Sequence, residues 1–434
     1  MNVLLALFLT FISSTNYVVE KDTLVNGLVI VACKKPGMPI FHVEVGLYAG
    51  SIFDKIGGEA YLTAQMLTDG IKDMDKKQIS VIIDELGGNY SVNTYKLYTD
   101  ISLTVTTDSK EKALKLLSGL LTNPTFPEGE FNKEKVRLIQ NIRRNRSEPR
   151  RYIQILFFRE FYGDNPLGRP STGTEETVSK LTVEDIRKFY KKYYNPQNAY
   201  LVVVSNEDPV VTISLVKKYF SDWEKGEAAS FPAIELNIPD SSYIKTFHME
   251  INQSYIMLGH VGTLRNNPNW PVIQLFNYAL GGGGFSSRLL KEIRNKKGYT
   301  YSAYSYFTWQ KEYPGVFLVS TFTKLDNTQA VVKEIKTILE NFKTSGISEE
   351  ELEEAKKYFE GALPRRVETY SGLAGRILEG MIYGLPDFYW EKEARVMQKI
   401  TQKEVNRIIP EYLYPEKLMG VVITDTTKVK LKVD

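Results

Sequence analysis

The second half of this chain repeats the order of the first, and that repeat constrains the fold more than any other feature. The alternating run Ile101-Ser-Leu-Thr-Val-Thr-Thr leads to a helical pattern at Lys110–Leu121, then a turn, then a charged helix from about Glu130. Phe317-Leu-Val-Ser-Thr-Phe-Thr leads in the same way to a helix at Thr328–Phe342, the turn Ser345-Gly346, and a helix over Glu349–Phe359. The offset is about 215–221 residues, so one strand–helix–turn–helix unit is used twice. Copies this large are duplicated domains and not turns of a solenoid. Each half is expected to be an α+β domain, a mixed or antiparallel sheet with helices packed on one face. The 434 residues agree, being too many for a single core.

Composition changes at 226–242, where Gly226, Ala228, Ala229, Ser230, Pro232, Pro239, Ser241 and Ser242 break all periodicity. This is the expected linker between a domain over 18–225 and one over 243–434. Residues 1–17 stand apart. Val3 to Ile12 is apolar except for Thr10, and Ser13, Ser14 and Thr15 follow. The run is too short to span a bilayer and fits the apolar core of a secretory signal, although no Lys or Arg precedes it. The expected location is periplasmic or otherwise extracytoplasmic. The alternative, a buried N-terminal strand, would leave the protein in the cytoplasm.

A formal charge of +3 argues against nucleic acid as the main partner. The single cysteine, Cys33, excludes an intrachain disulfide and follows a strand-like run, where a buried, inert thiol is expected. Val18–Val31 reads as two strands joined at Asn26-Gly27, and Phe41–Tyr48 continues the sheet. Helices are expected at 59–69, 77–86 and 128–146. Another is expected at 182–193, with Thr182 as N-cap and Asp185 three residues on.

Histidine is scarce: His42, His248 and His260 are all there are. No two have the i, i+4 spacing that sets a pair of imidazoles on one helix face. Each has strand-like surroundings, so a structural role is expected, and a conventional histidine-rich zinc site cannot be built from them. No nucleophile-elbow glycine pattern supports a Ser/His/Asp triad. The glycine run Gly281, Gly282, Gly283, Gly284 could cradle a phosphate ahead of a helix. It follows a helix (Trp270–Leu280) and not a strand, however, and no Gly-Lys-Ser/Thr comes after it. The glycines are expected to free the backbone as a joint between helices.

The stretch from Gly281 to Tyr301, Gly-Gly-Gly-Gly-Phe-Ser-Ser-Arg-Leu-Leu-Lys-Glu-Ile-Arg-Asn-Lys-Lys-Gly-Tyr-Thr-Tyr, resembles the C-terminal signature of the pitrilysin/insulinase superfamily of zinc peptidases. The nearest type is the two-domain, mitochondrial-processing-peptidase-like branch, which includes respiratory-complex core subunits. Glu250–Gly259, Tyr162–Gly173 and Tyr193–Asn198 sit where that family has comparable segments. The resemblance implies a clam-like half-shell of two domains. It also implies an inverted zinc motif, His-x-x-Glu-His, after a glycine, with a third ligand, Glu, on a later helix. Here Tyr61 stands at the first histidine, Ala64 at the general base, Gln65 at the second histidine and Asn141 at the later glutamate. Tyr, Gln and Asn are weak zinc ligands and Ala takes no proton. Glu59 and Glu134 lie nearby in sequence but do not replace the set. The resemblance further implies an Arg and a Tyr, seven residues apart, that hold the substrate backbone and the tetrahedral intermediate. Arg294 and Tyr301 keep that spacing, a forked donor and a phenol suited to a developing oxyanion.

The expectation is therefore a non-catalytic, substrate-binding subunit with no cofactor of its own. It would act on unfolded peptides with a homologous partner subunit that carries zinc. The alternative is a structural or binding homologue, like the core subunits; a solitary peptidase with an unusual metal site is a third. Arg143, Arg144, Arg146, Arg150 and Arg151 read as a solvated helix end. Tyr299, Tyr301, Tyr304 and Tyr306 could line a peptide-accepting surface, although tyrosine is ordinary in strands.

Overall fold

The computed structural model describes residues 9–12, 17–236, 238 and 241–431. Contacts divide the chain into two units. Unit 1 comprises Met1–Arg143, Arg169–Ala233 and Pro364–Tyr389, and unit 2 comprises Arg144–Gly168, Ile234–Leu363 and Trp390–Asp434.

The sheet of unit 1 uses β1 (Leu9–Ile12), β2 (Val18–Thr23), β3 (Val29–Lys34), β4 (Ile40–Leu47), β5 (Asn89–Thr94), β6 (Thr99–Thr106) and β7 (Ala199–Ser205), in the order β1-β2-β3-β7-β4-β6-β5. The sheet of unit 2 uses β8 (Tyr243–His248), β9 (Gln253–Val261), β10 (Ala303–Phe307), β11 (Val316–Lys324) and β12 (Met419–Thr424), in the order β8-β12-β9-β11-β10. Each has one parallel pair, β3 with β7 and β8 with β12, and antiparallel pairs elsewhere. The five strands β3-β7-β4-β6-β5 thus reappear as β8-β12-β9-β11-β10, which extends the sequence repeat to the whole sheet of unit 2; β1 and β2 have no counterpart in it.

The helices repeat too. In the first half α1 (Glu59–Gln65), α2 (Lys76–Glu85), α3 (Lys110–Thr122), α4 (Glu128–Ser147), α5 (Pro149–Tyr162) and α6 (Val183–Tyr193) precede β7, and α7 (Pro209–Phe220) follows it. In the second half come α8 (Trp270–Asn277), α9 (Thr328–Ser345), α10 (Glu349–Arg366), α11 (Tyr370–Tyr383) and α12 (Gln402–Tyr412). Local signals set their ends. Thr182 and Asp185 form the expected capping box of α6, Pro149 opens α5, and Gly346, at φ 70°, ends α9.

The α+β class holds, with one mixed sheet per unit, and each sheet also carries a helix on its second face. In β4, Phe41, Val43, Val45 and Leu47 form a fully buried apolar face. Gly46 faces the other way, and a β-carbon there would fall 2.7 Å from Leu378 Cδ1 of α11. In β9, a β-carbon on Gly259 would fall 2.8 Å from Phe157 Cζ of α5. Leu378 and Phe157 take the same place in their two helices. A division in chain order at 226–242 puts α5 with the first sheet and α11 with the second. The contacts assign each to the other unit: the second face of each sheet, which carries His42 and Glu44 in unit 1 and Met257 and Leu318 in unit 2, is covered by a helix from the other half of the sequence.

The first part of the expected linker is docked on unit 1. Asn195 and Asn198 donate to Glu227 O (3.1 and 3.2 Å), Ala229 N donates to Asn198 Oδ1 (2.6 Å), and the Phe231 ring packs on Tyr48 and Phe53. Of the N-terminal apolar run, Leu9–Ile12 is a strand paired antiparallel with β2; Val3–Phe8 and Ser13–Thr15 lie outside the described residues. Among the described residues no helix is long and apolar enough to cross a membrane. Cys33 is buried, which pushes its thiol pKa up to about 12 and keeps it inert.

Candidate functional site

In unit 1 the degenerate motif lies on α1. Asp54 fixes its start: Gly58 N and Ala60 N each donate to this carboxylate at 2.8 Å. Full burial raises the Asp54 pKa to about 8 against those two bonds. Ala64 is fully buried and Tyr61 and Gln65, one turn apart, are half-buried. Burial raises the Tyr61 phenol, and the Glu134 charge raises it further, so Tyr61 is a neutral hydroxyl. On α4, Glu134 and Leu138 are buried and Asn141, half-buried, continues the same stripe.

The carboxylates beside this motif already have a cation. Lys76 Nζ, at the first turn of α2, lies 2.8 Å from Asp69, 3.2 Å from Glu130 and 3.3 Å from Glu134. Arg137 adds a contact to Glu134 at 3.1 Å. Burial alone would lower the lysine pKa; the bonds to Asp69, then Glu130 and Glu134, outweigh it and hold the ammonium charged. Among the described residues no three His, Cys, Asp or Glu are grouped to hold a metal. Zinc does not fit this centre: the motif offers a phenol, an alkyl group and two amides, and the nearby carboxylates are neutralised by Lys76 and Arg137. The lysine bridge was not legible in the sequence, because Asp69, Lys76 and Glu130 have no common spacing.

Two of the three histidines, His42 and His260, are buried in the sheets. His42 Nδ1 lies 2.7 Å from Thr104 Oγ1 and its Nε2 3.2 Å from Glu44, while burial lowers its pKa to about 4. His260 is also buried, with Nδ1 2.7 Å from Val261 O and Nε2 accepting from Tyr414 N at 3.1 Å. Burial lowers it likewise to about 4. His248 ends β8 beside Thr426. Glu44 shares its face of the sheet with Asp100 of β6, and burial raises their pKa values to about 7 and about 8.

In unit 2 the second set consists of Arg294, half-buried, and Tyr301, exposed. α8 runs on through Tyr278–Gly282 in a wider turn, followed by the short Gly284–Ser286 turn. Gly281 lies against β10, where a β-carbon would fall 2.5 Å from Ser305 N, and of the four glycines in the run Gly284 alone (φ 60°) takes the left-handed conformation, without crowding. Close packing thus accounts for Gly281, whereas the role expected for the run was a mobile joint. Phe285, next to the run, is 68% exposed, and the Arg294 guanidinium carbon sits 4.6 Å from its ring centre. Arg294 O accepts from Gly298 N at 2.9 Å. Buried Thr300, bonded to Phe322 O at 2.5 Å, pins the segment before Tyr301, which is 78% exposed. Sequence reading did not single out Phe285; its place beside the glycines was the available signal. On β10, Tyr304 and Tyr306 stack at 6.0 Å along the sheet edge. A planar cation, a phenol and an exposed phenyl ring can engage peptide carbonyl groups and apolar side chains.

The arginine cluster splits up. Arg143 pairs with Glu175, Arg151 with Glu148 at 2.8 Å, and Arg146 and Arg150 lie over Tyr152 and Phe322.

Residues 29–175 match the family model described as insulinase (peptidase family M16), and residues 180–359 match the one described as peptidase M16 inactive domain. A Rickettsia felis protein described as an uncharacterized zinc protease is 30% identical over 333 residues, 76% of this chain and 79% of that protein. A Helicobacter pylori protein, non-peptidase homolog YmxG, is 25% identical over 389 residues, 88% of each chain. The solved structure of a peptidase M16 inactive domain from Pseudomonas fluorescens matches with a TM-score of 0.89 at 25% identity, over 96% of this chain and 100% of that one.

Proposed function

This chain belongs to peptidase family M16, the insulinase family, and we propose that within it the chain is the non-catalytic, substrate-binding subunit of a heteromeric zinc metallopeptidase. The observation that carries this reading is the contrast within the chain. Tyr61, Ala64, Gln65 and Asn141 cannot hold or activate a metal-bound water, while Tyr301 is exposed and Arg294, half-buried, lies over the exposed ring of Phe285. A homologous partner would hold zinc, which acts there as Lewis acid toward the peptide carbonyl and lowers the pKa of its water. This chain's part is to bind and orient: Arg294 and Tyr301 donate to the substrate backbone and to the oxyanion that develops. The substrates are unfolded peptides. An extracytoplasmic location is part of the same proposal and rests on the composition of Val3–Ile12; the pairing of Leu9–Ile12 with β2 favours the alternative of a retained strand, and amino-terminal sequencing of the mature protein decides between them.

The test is reconstitution. The purified chain alone is expected to cleave no peptide, and a mixture with a zinc-motif homologue is expected to cleave it. Arg294→Ala with Tyr301→Phe is expected to lower the mixed activity by about 100-fold or more. Undiminished activity of that double variant would refute the assigned role. Stoichiometric zinc in the isolated chain, lost on Asn141→Ala or Gln65→Ala, would refute the metal-free reading. The name of the Helicobacter pylori relative favours a second reading, a binding homologue with no peptidase partner; absence of cleavage in every mixture supports it.

A further inference from the structure

The duplication exposes a difference at one corner of the two sheets. In unit 1 the apolar row Ile30–Leu201–Val45–Ile101 crosses β3, β7, β4 and β6. Its counterpart in unit 2 is Ile244–Gly420–Leu258–Val319, across β8, β12, β9 and β11. The helix above each row begins after a short turn, Thr107–Ser109 before α3 and Leu325–Asn327 before α9. Glu111, Leu114, Lys115 and Ser118 of α3 therefore correspond to Gln329, Val332, Lys333 and Lys336 of α9.

In unit 1 this corner is filled by α7. Its residues Ile213, Val216 and Phe220 are buried, at a spacing that puts them on one face, and the helix packs on β2, β3 and α3. Ser118 Oγ donates to Tyr219 O at 2.7 Å, and Lys218 Nζ pairs with Glu111 at 2.9 Å. Ile30 and Leu114 beneath are fully buried. Among the described residues of unit 2, no helix follows β12. The same corner is a groove of about 270 Å³, with Ile244, Leu258 and Leu418 as its floor, Val332 as its wall and Lys333 and Lys336 on its rim.

The rim has become more basic, with Lys333 standing where α3 already has Lys115. Where α3 offers Glu111 to a lysine of α7, α9 offers neutral Gln329, and Lys336 replaces Ser118. Glu340 adds one carboxylate at the far end. Lys333 and Lys336 make no ion pair among the described residues. From these facts we infer that the groove between β8 and α9 takes an amphipathic helix of a partner polypeptide, its apolar stripe on Ile244, Leu258 and Val332 and its carboxylates on Lys333 and Lys336. Helix α7 shows that this corner of the fold accepts such a helix, and the lysines select an acidic one. This surface is separate from Arg294 and Tyr301, and the inference stands whether or not the chain serves a peptidase.

The probe is a fluorescein-labelled peptide of Asp208–Ser221 carrying Lys217→Glu and Lys218→Glu, so that the apolar stripe of α7 is joined to an acidic flank. Fluorescence anisotropy with the full chain is expected to show saturable binding. Lys333→Glu with Lys336→Glu is expected to weaken it by about tenfold or more, and the peptide with its native lysines to bind about fivefold more weakly. These two lysines contribute nothing to the core, so the variant folds; circular dichroism checks this. Ile244→Asp, which wets the floor, is expected to abolish binding. Absence of saturable binding overturns the inference, as does binding that neither the lysine variant nor Ile244→Asp alters. Sedimentation velocity supplies the remaining outcome: a dimer of this chain that dissociates on Lys336→Glu makes a second copy the occupant and overturns the partner helix.

Discussion

Unit 1 and unit 2 share five strands in one order, one parallel pair in one place, and a cover helix pressed on one glycine. They differ in where their polar groups end. In unit 1, Asp69, Glu130 and Glu134 close on Lys76, α7 fills the corner, and Glu44 and Asp100 stand together on one face of the sheet. In unit 2, Arg294 stacks on exposed Phe285, Tyr301 points to solvent, and Lys333 and Lys336 rim an open groove. Duplicated folds keep what packing requires and diverge in what they leave unsatisfied.

The shared part breaks most severely. Gly46→Leu and Gly259→Leu each force a side chain into Leu378 or Phe157, and each is expected to destabilise its unit by about 3 kcal/mol. Urea unfolding checks this, with hydrogen exchange to locate the loss. Equal losses at β4 and β9 support equivalent cover helices; a loss at one glycine alone would show that the two packings are not equivalent.

Those two glycines also mark what the sequence could and could not reveal. Helical spacing and caps located α3, α4, α6 and α9, because 3.6-residue periodicity and Thr182/Asp185 capping are local. The repeat of Ile101–Thr107 at Phe317–Thr323 announced the duplication. Neither α5 nor α11 could be assigned to a sheet, because an apolar stripe states that a helix is buried and not against what. The candidate site divides in the same way. Tyr61, Ala64, Gln65, Asn141, Arg294 and Tyr301 were named only through the family resemblance, whereas Lys76 among its carboxylates and Phe285 under Arg294 are meetings in space that no spacing encodes.

The second effect concerns unit 1 alone. Lys76→Met leaves Asp69, whose side chain is almost fully buried, without its cation. The expected loss is about 2 kcal/mol, below that of a fully buried pair because the lysine side chain is 42% exposed. Asp69→Asn in the same background is expected to recover part of it, read from thermal unfolding. No recovery would mean that the lysine acts through packing.

Alkaline pH separates the units more gently. The Glu44 and Asp100 carboxyls have folded pKa values raised by burial to about 7 and about 8, from ordinary values of 4.5 and 3.8. The folded state therefore binds their protons more tightly than the unfolded chain does. Their contribution is full below the ordinary values and is lost as pH rises through 7 to 8. The corresponding residues of unit 2, Met257 and Leu318, are apolar and fully buried. Glu44→Gln with Asp100→Asn is expected to remove about 1 kcal/mol or more of the stability lost between pH 6 and pH 9. At the acid end the units behave alike. His42 and His260 are both held near 4, so the unfolded chain protonates first and stability falls as pH drops from about 6.5 toward 4. Equal alkaline losses in wild type and double variant would remove this distinction between the units.

The smallest structural effect bears on the largest functional claim. Tyr301 is 78% exposed, and the bond that pins its segment belongs to Thr300, so Tyr301→Phe is expected to change stability by less than about 0.5 kcal/mol. Thr300→Val, which removes the buried donor to Phe322 O, is expected to cost about 1 kcal/mol. If the phenol acts only as the oxyanion develops, Tyr301→Phe lowers kcat of the reconstituted mixture by about tenfold or more and leaves KM unchanged. A packing role predicts the reverse order, with Tyr301→Phe more destabilising than Thr300→Val and kcat unmoved. The two substitutions lie one residue apart, so the pair separates what unit 2 uses to hold its shape from what it holds out to a substrate.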